Sequence, residues 1–285
     1  MHETPSPSWL ERLSVGIQYC LPQHGLTAVA HRVSQSRAGW LADPLKRAFC
    51  ARFPVNLDES AQPLEEFDHF NAFFTRALKP GLRRFPTDPD ALGCPCDGTL
   101  SQIGTIADGH MLQAKGHPFT AEAIIGNQDL AAPFQRGRFA TIYLAPYDYH
   151  RVHLPCRAHL SHEIRIPGRL FSVSDKTSRV IPGLYARNER MVALFDTTWG
   201  PMAVIMVAAM LVAGIETSWA PNHAPRPGKT LAITPFVPKI AMKSGQEMGR
   251  FHWGSTVVLL TGADAPPWLE TLAAGQVMRL GQTLT

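Results

Sequence analysis

The chain changes texture at Pro80-Gly81, and that change constrains its fold more than any other feature. Before it, apolar residues recur at helical spacing: Trp9-Leu10, Leu13, Ile17 and Leu21, then Leu26, Val29-Ala30 and Val33, then Phe67, Phe70, Phe73-Phe74 and Leu78. Steps of three and four residues put such side chains on one face of a helix, and proline followed by glycine stops the run. After it come short β-type runs, among them Gly98-Thr99-Leu100, Ile142-Tyr143-Leu144, Val192 to Phe195, Ala203 to Val207, Leu231 to Ile233 and Thr256 to Leu260. Turn signals such as Pro167-Gly168, Pro182-Gly183 and Pro227-Gly228 separate them. This pattern predicts an α+β protein, with N-terminal amphipathic helices followed by a compact β-rich domain rather than alternating βαβ units. Prolines and acids between residues 55 and 90 place the boundary, giving a helical segment over 1–60 and a β-rich domain over 61–285.

Charge sharpens the division. The 285-residue chain carries a net charge of +4 but no dense Lys/Arg stripe, so nucleic acid is a poor partner for it. Most of the excess lies before residue 54, where six Lys/Arg (Arg12, Arg32, Arg37, Lys46, Arg47, Arg52) face three acids and alternate with Trp9, Trp40, Phe49 and Phe53. Bases for headgroups and aromatics for the interface suit a helix lying on an anionic bilayer, although a helical hairpin packed on its own domain would carry a similar pattern. The N-terminus, MHETPSPSWLERL, lacks the basic segment and apolar run of a cleaved export signal. The most apolar window, Met202 to Ile215, falls short of the roughly 20 residues that span a bilayer and reads as buried strand. Five scattered cysteines with no CxxC pair argue against a disulfide framework or a structural zinc and fit a reducing compartment.

Three stretches combine groups that chemistry uses: CPCDGTLSQIG with Asp97, YLAPYDYHRVHLPC with Asp148, His150 and His153, and MGRFHWGSTVVLL with Gly254-Ser255. A carboxylate that orients an imidazole, which in turn takes a hydroxyl proton, needs an Asp, a His and a Ser. Taken singly, Asp97-Gly98 reads as a plain turn, and any one of the 12 histidines is more often structural than catalytic. His150 and His153 lack a third metal ligand at a recognisable spacing, so no metal is expected. The G-x-S-x-G elbow of α/β-hydrolases is absent around Ser255. A glycine directly before a serine in a strand-like run has another use: its carbonyl can be approached closely, and the serine hydroxyl can attack its own peptide bond.

These residues together resemble the phosphatidylserine decarboxylases of prokaryotic type, pyruvoyl-dependent enzymes whose precursors cut themselves at a Gly-Ser bond. FNAFFTRALKPGLR, CDGTLSQIG, KGHPFTAEAIIG, YLAPYDYHRVHLPC, ARNERMVALFDTTWGPMAVIMVAAMLVAGIET and QEMGRFHWGSTVVLL look like family segments in family order, covering most of residues 60 to 262. Trp253 stands where the family motif usually has Leu, which bears on the rate of cutting. The resemblance implies that Asp97, His153 and Ser255 form the relay for self-cleavage at Gly254-Ser255, and that His150 serves the decarboxylation as a proton donor. It also implies a covalent pyruvoyl cofactor derived from Ser255, which forms a Schiff base with phosphatidylserine and acts as an electron sink while CO₂ leaves. The products of cleavage would be a large chain, 1–254, and a small chain, 255–285, held as neighbours in one sheet; a homo-oligomer of that pair is compatible with the reading. A lipid substrate turns the helices of residues 1–60 into expected anchors of a peripheral enzyme on the cytoplasmic face of the cell membrane. The competing readings are a serine hydrolase using Asp97, His153 and Ser255 on an external ester, and a non-catalytic membrane-binding module.

Overall fold

A computed structural model describes residues 8–113, 117–211, 214–220, 229–252 and 255–285. Trp253 and Gly254, and with them one side of the expected cleavage site, lie outside the described residues. Three helices open the chain: α1 (Trp9–Cys20), α2 (Gln23–Ser34) and α3 (Gly39–Arg52). Ser8 starts α1 with a capping box, its hydroxyl accepting from the Glu11 N–H while the Glu11 carboxylate accepts from the Ser8 N–H. The helical spacing read as far as Leu78 yields a single 3-10 turn, Leu64–Glu66, and one further short α-helix, α4 (Phe70–Phe74), capped by the His69 ring. Pro54 and Pro63 break the backbone pattern between them, and the phenylalanines of this stretch instead build a separate cluster, Phe67, Phe70, Phe73 and Phe74 around Phe49 of α3.

The strands follow in order: β1 (Gly98–Thr105), β2 (His110–Leu112), β3 (Pro118–Thr120), β4 (Arg138–Leu144), β5 (Arg151–His153), β6 (Ala158–Ile166), β7 (Arg190–Thr197), β8 (Gly200–Val207), β9 (Ile215–Thr217), β10 (Ala232–Met242), β11 (Glu247–Phe251), β12 (Ser255–Thr261) and β13 (Val277–Met278). Eight of them form one sheet in the order β10-β6-β7-β8-β12-β4-β1-β13, with antiparallel pairing throughout. A smaller sheet, β5-β11-β9, lies beside it. The α+β class read from the sequence is the one observed. The apolar run from Met202 is not one strand, however: it supplies β8 as far as Val207 and reaches a different sheet at Ile215 in β9.

Strand β12 holds the middle of the large sheet and is buried at every residue, with Thr256 opposite both Val207 of β8 and Tyr143 of β4. Because both faces are covered, it reads as a continuous apolar run rather than an alternating one. The N-terminal helices are arranged the opposite way. Val15 enters the core and the Tyr19 ring packs on that of Phe171 at 4.7 Å, and polar groups complete the contact of α1 and α2 with the β domain: Gln18 and Gln23 accept from the Ser172 and Leu170 N–H groups, and Glu11 pairs with Arg179 at 2.7 Å. Their apolar residues face outward, with Trp9 71% exposed, Leu13 57% and Val29 65%, and Trp40 at the start of α3 reaches 80%.

Candidate active site

Ser255 opens β12 opposite Leu144, the last residue of β4. The chain between Leu144 and β5 returns alongside the segment upstream of Ser255, because the Phe251 N–H donates to the His150 carbonyl at 3.0 Å. The loop that carries Asp148, Tyr149 and His150 is thereby tied at its two ends, to Ser255 through Leu144 and to Phe251 through His150. His252 is clamped on that stretch: its Nδ1 accepts from Asn71 at 2.8 Å, its Nε2 lies 3.3 Å from Glu216, and its N–H donates to the Gly214 carbonyl.

The Ser255 hydroxyl is fully buried and has no hydrogen-bond partner among the described residues. A buried hydroxyl in that state costs free energy that secondary structure alone gives no reason to incur. His150 is equally buried, 4.2 Å from the Phe74 ring. Its Nδ1 lies 2.9 Å from the Asp148 carbonyl, which can only accept, so Nδ1 carries the proton and Nε2 presents a lone pair. That Nε2 also lacks a partner among the described residues. Burial depresses the His150 pKa to about 3, against the weaker pull of the Asp148 carbonyl, so the ring is neutral in ordinary buffers.

His153, on β5, adopts the same tautomer by the same logic. Nδ1 donates to the Gly245 carbonyl at 2.8 Å, and Nε2 accepts from the Tyr149 hydroxyl at 3.0 Å. Burial lowers its pKa as well, with the Gly245 carbonyl opposing, and pushes the Tyr149 phenol up to about 12, so that hydroxyl stays a neutral donor. The basic nitrogen of His153 is thus poised as an acceptor, at present of a tyrosine proton.

Asp97 departs from expectation. It was expected to orient His153, but its buried carboxylate is saturated elsewhere: Arg83 donates to both oxygens at 3.1 and 2.6 Å, the Leu280 N–H at 2.7 Å and Arg279 at 3.3 Å. Two guanidinium groups and a backbone donor satisfy a buried carboxylate better than a neutral imidazole can, and the carbonyl of Gly245 takes over the orienting bond. Asp97 reaches His153 only through its field, which favours the charged ring. The following Gly98 is required by packing, since a Cβ there would lie 2.4 Å from the Tyr143 carbonyl oxygen. Asp97, Asp148, Tyr149, Arg76 and Arg279 line a cavity of about 160 Å³.

Of these partners, Arg83 and Tyr149 stand inside the segments the sequence singled out, and their proximity to Asp97 and His153 was the available signal. Gly245 and Arg279 carry none, being brought in by β-sheet closure from far along the chain. Among the described residues no group of three His, Cys, Asp or Glu side chains could hold a metal ion, and no helix is long and apolar enough to cross a membrane.

The decisive comparison is with known sequences. A family model described as phosphatidylserine decarboxylase matches residues 70–285, and a second, described as PSD, matches residues 13–54. The chain belongs to the phosphatidylserine decarboxylase family. Within the family it is similar to the phosphatidylserine decarboxylase proenzyme of Pseudomonas putida strain GB-1, 47% identical over 279 residues that make up 96% of this chain and 97% of that one. The proenzymes of Pseudomonas aeruginosa PAO1 (45% identical, 97% and 98% covered) and Ectopseudomonas mendocina strain ymp (45%, 96% and 98%) are comparably similar. The family resemblance carried by the quoted segments therefore extends across nearly the whole chain, helices included. The first model starts at Phe70, the first residue of α4, the helix whose Phe74 packs on the His150 ring.

Proposed function

We propose that the chain is a self-processing carboxy-lyase that converts phosphatidylserine to phosphatidylethanolamine and CO₂ at the membrane surface, with Ser255 as both the cutting nucleophile and the source of the cofactor. The observation that carries this is the Ser255 hydroxyl, buried without a partner at the start of a central strand in a chain of this family. Once formed from Ser255, a pyruvoyl carbonyl supplies an electron sink when the substrate amine condenses with it. All the remaining work falls to the chain's own groups. His153, with Nε2 unprotonated and its tautomer held by Gly245, takes the Ser255 proton as the hydroxyl attacks the carbonyl of Gly254. His150 Nε2, dry and unpaired, takes a proton from the substrate ammonium as the amine condenses and delivers it to the α-carbon after CO₂ departs. Both the buried ring and the Phe74 face against it exclude water from that step.

Asp97 holds the cleaved product together. It joins Arg83 of the chain 1–254 to Arg279 and Leu280 of the chain 255–285, and backbone bonds from Cys94 to Gln282 and from Leu284 to Leu92 reinforce the join. The outward apolar side chains of α1 and α2, on residues 1–60, seat the enzyme on the cytoplasmic face of the bilayer, and residues 61–285 form the catalytic domain.

Intact mass and denaturing electrophoresis of the purified protein test the reading. The expected result is two chains, 1–254 and 255–285, the smaller one blocked at its N-terminus; Ser255→Ala and His153→Ala stay whole, and His150→Ala is cut but fails to release CO₂. A wild-type protein found only as a single full-length chain overturns the proposal. A second reading assigns the Ser255 proton to His150, because its Nε2 and the Ser255 hydroxyl are complementary groups that both lack partners. An uncut His150→Ala protein decides for it.

A further inference from the structure

Arg76 follows α4 directly and is 3% exposed, with its guanidinium 5.5 Å over the Phe73 ring. Its Nη2 donates to the Tyr147 carbonyl at 3.0 Å and, at the long limit, to that of Asp148 at 3.5 Å. Nε and Nη1, three N–H donors in all, have no acceptor among the described residues. No carboxylate pairs with it there either. The other guanidinium groups near the 160 Å³ cavity are already engaged, Arg83 by Asp97 and Glu59 and Arg279 by Asp97. Asp148, the remaining acid on that wall, accepts from the Ala145 N–H through a side-chain oxygen and makes no ion pair with Arg76. A buried cation on the wall of a cavity, with three donors unmet, is completed by an anionic ligand.

From this geometry we infer that Arg76 binds the phosphodiester of the lipid headgroup while His150 acts beside it. The two side chains meet on one acceptor: the Asp148 carbonyl receives both His150 Nδ1 and Arg76 Nη2. Phe74, two residues before Arg76, packs on the His150 ring. A headgroup anchored at Arg76 is therefore held next to the proton-transferring imidazole. The substrate offers two anions, and the chemistry separates them. Charge leaves the carboxylate as CO₂ departs, so a guanidinium there would hold the ground state more tightly than the transition state and slow the reaction. The phosphodiester keeps its charge throughout and serves as a handle for substrate and product alike.

The inference rests on the decarboxylase reading, and its test separates the two. Processed Arg76→Met and Arg76→Lys enzymes are compared with wild type on phosphatidylserine in mixed micelles, after electrophoresis has confirmed that each is cut. Inhibition is measured with glycerophosphoethanolamine, which has the phosphate and no carboxylate, and with serine, which has the carboxylate and no phosphate. Arg76→Met is expected to raise KM at least tenfold and to weaken glycerophosphoethanolamine at least tenfold, with serine inhibition changed less than twofold. Arg76→Lys, a point charge in place of the planar fork, restores part of both losses and carries the test if Arg76→Met does not mature. Unchanged KM and unchanged glycerophosphoethanolamine inhibition overturn the inference, as does a loss confined to serine. A wild-type enzyme with no activity on phosphatidylserine overturns the underlying reading instead.

Discussion

Helix α1 and strand β12 use the same kinds of residue for opposite ends. In β12, Val257, Val258, Leu259 and Leu260 are fully covered by neighbours on both sides, and the polar groups at its two ends, Ser255 and Thr261, are buried with them. In α1, Trp9, Leu10, Leu13 and Ile17 face outward, and Glu11 and Gln18 make the docking bonds. The lesson is that amphipathicity gives a helix two faces but not the assignment of faces to core and exterior. That assignment follows from the polar hydrogen bonds of Gln18, Gln23 and Glu11, which could not be left unmade at the junction. Apolar content stabilises the fold in one place and remains available to another apolar phase in the other.

The contrast can be broken most strongly from the strand side. Leu259→Ala, introduced into the uncut Ser255→Ala chain so that processing does not confuse the measurement, should cost roughly 2–5 kcal/mol in urea unfolding. A loss under about 1 kcal/mol would mean that β12 is not packed as described. The buried imidazole of His150 tests the same interior by pH. The unfolded chain takes a proton near pH 6.5, which the folded ring refuses until about pH 3. This contribution is therefore intact above pH 6.5 and declines as the pH falls below it, by about 1.4 kcal/mol for each pH unit. In the same uncut Ser255→Ala chain, His150→Gln should remove that part of the acid slope between pH 6.5 and 4.5; an identical slope would place the ring in water. On the helix side the effect is smaller and of another kind. Leu13→Ala should weaken binding to anionic vesicles about tenfold, as expected for one leucine withdrawn from the interface, while the unfolding midpoint of the protein barely moves. Equal vesicle binding would remove α1 from the membrane contact.

The division between helices and sheet was legible in periodicity, and the serine that opens β12 stood out because a glycine before a serine in a β-type run is unusual on chemical grounds alone. The spacing of His150 and His153 was equally plain, but not their different surroundings. One is fully buried against Phe74 and the other is bonded to Tyr149 and Gly245, a distinction made by the pairing of β5 with β11 nearly a hundred residues later. Asp97 shows the same limit. A carboxylate's partners are set by whatever cations the closed sheet delivers, and Arg279 arrives from the far end of the chain. Helical spacing runs past both ends of α4 because phenylalanines at that spacing also build a cluster from irregular backbone.

The central position of β12 has a consequence for the history of the molecule. A strand flanked by β8 and β4 can be placed only while the chain is continuous or while the sheet is already assembled around it. If the chain is cut at Gly254-Ser255 as proposed, unfolding would release residues 255–285 as a separate peptide, and recovery would require two molecules to meet. Folding would then depend on concentration where it previously did not, so a protein cut in this way would persist by the slowness of its unfolding and not by its ability to return.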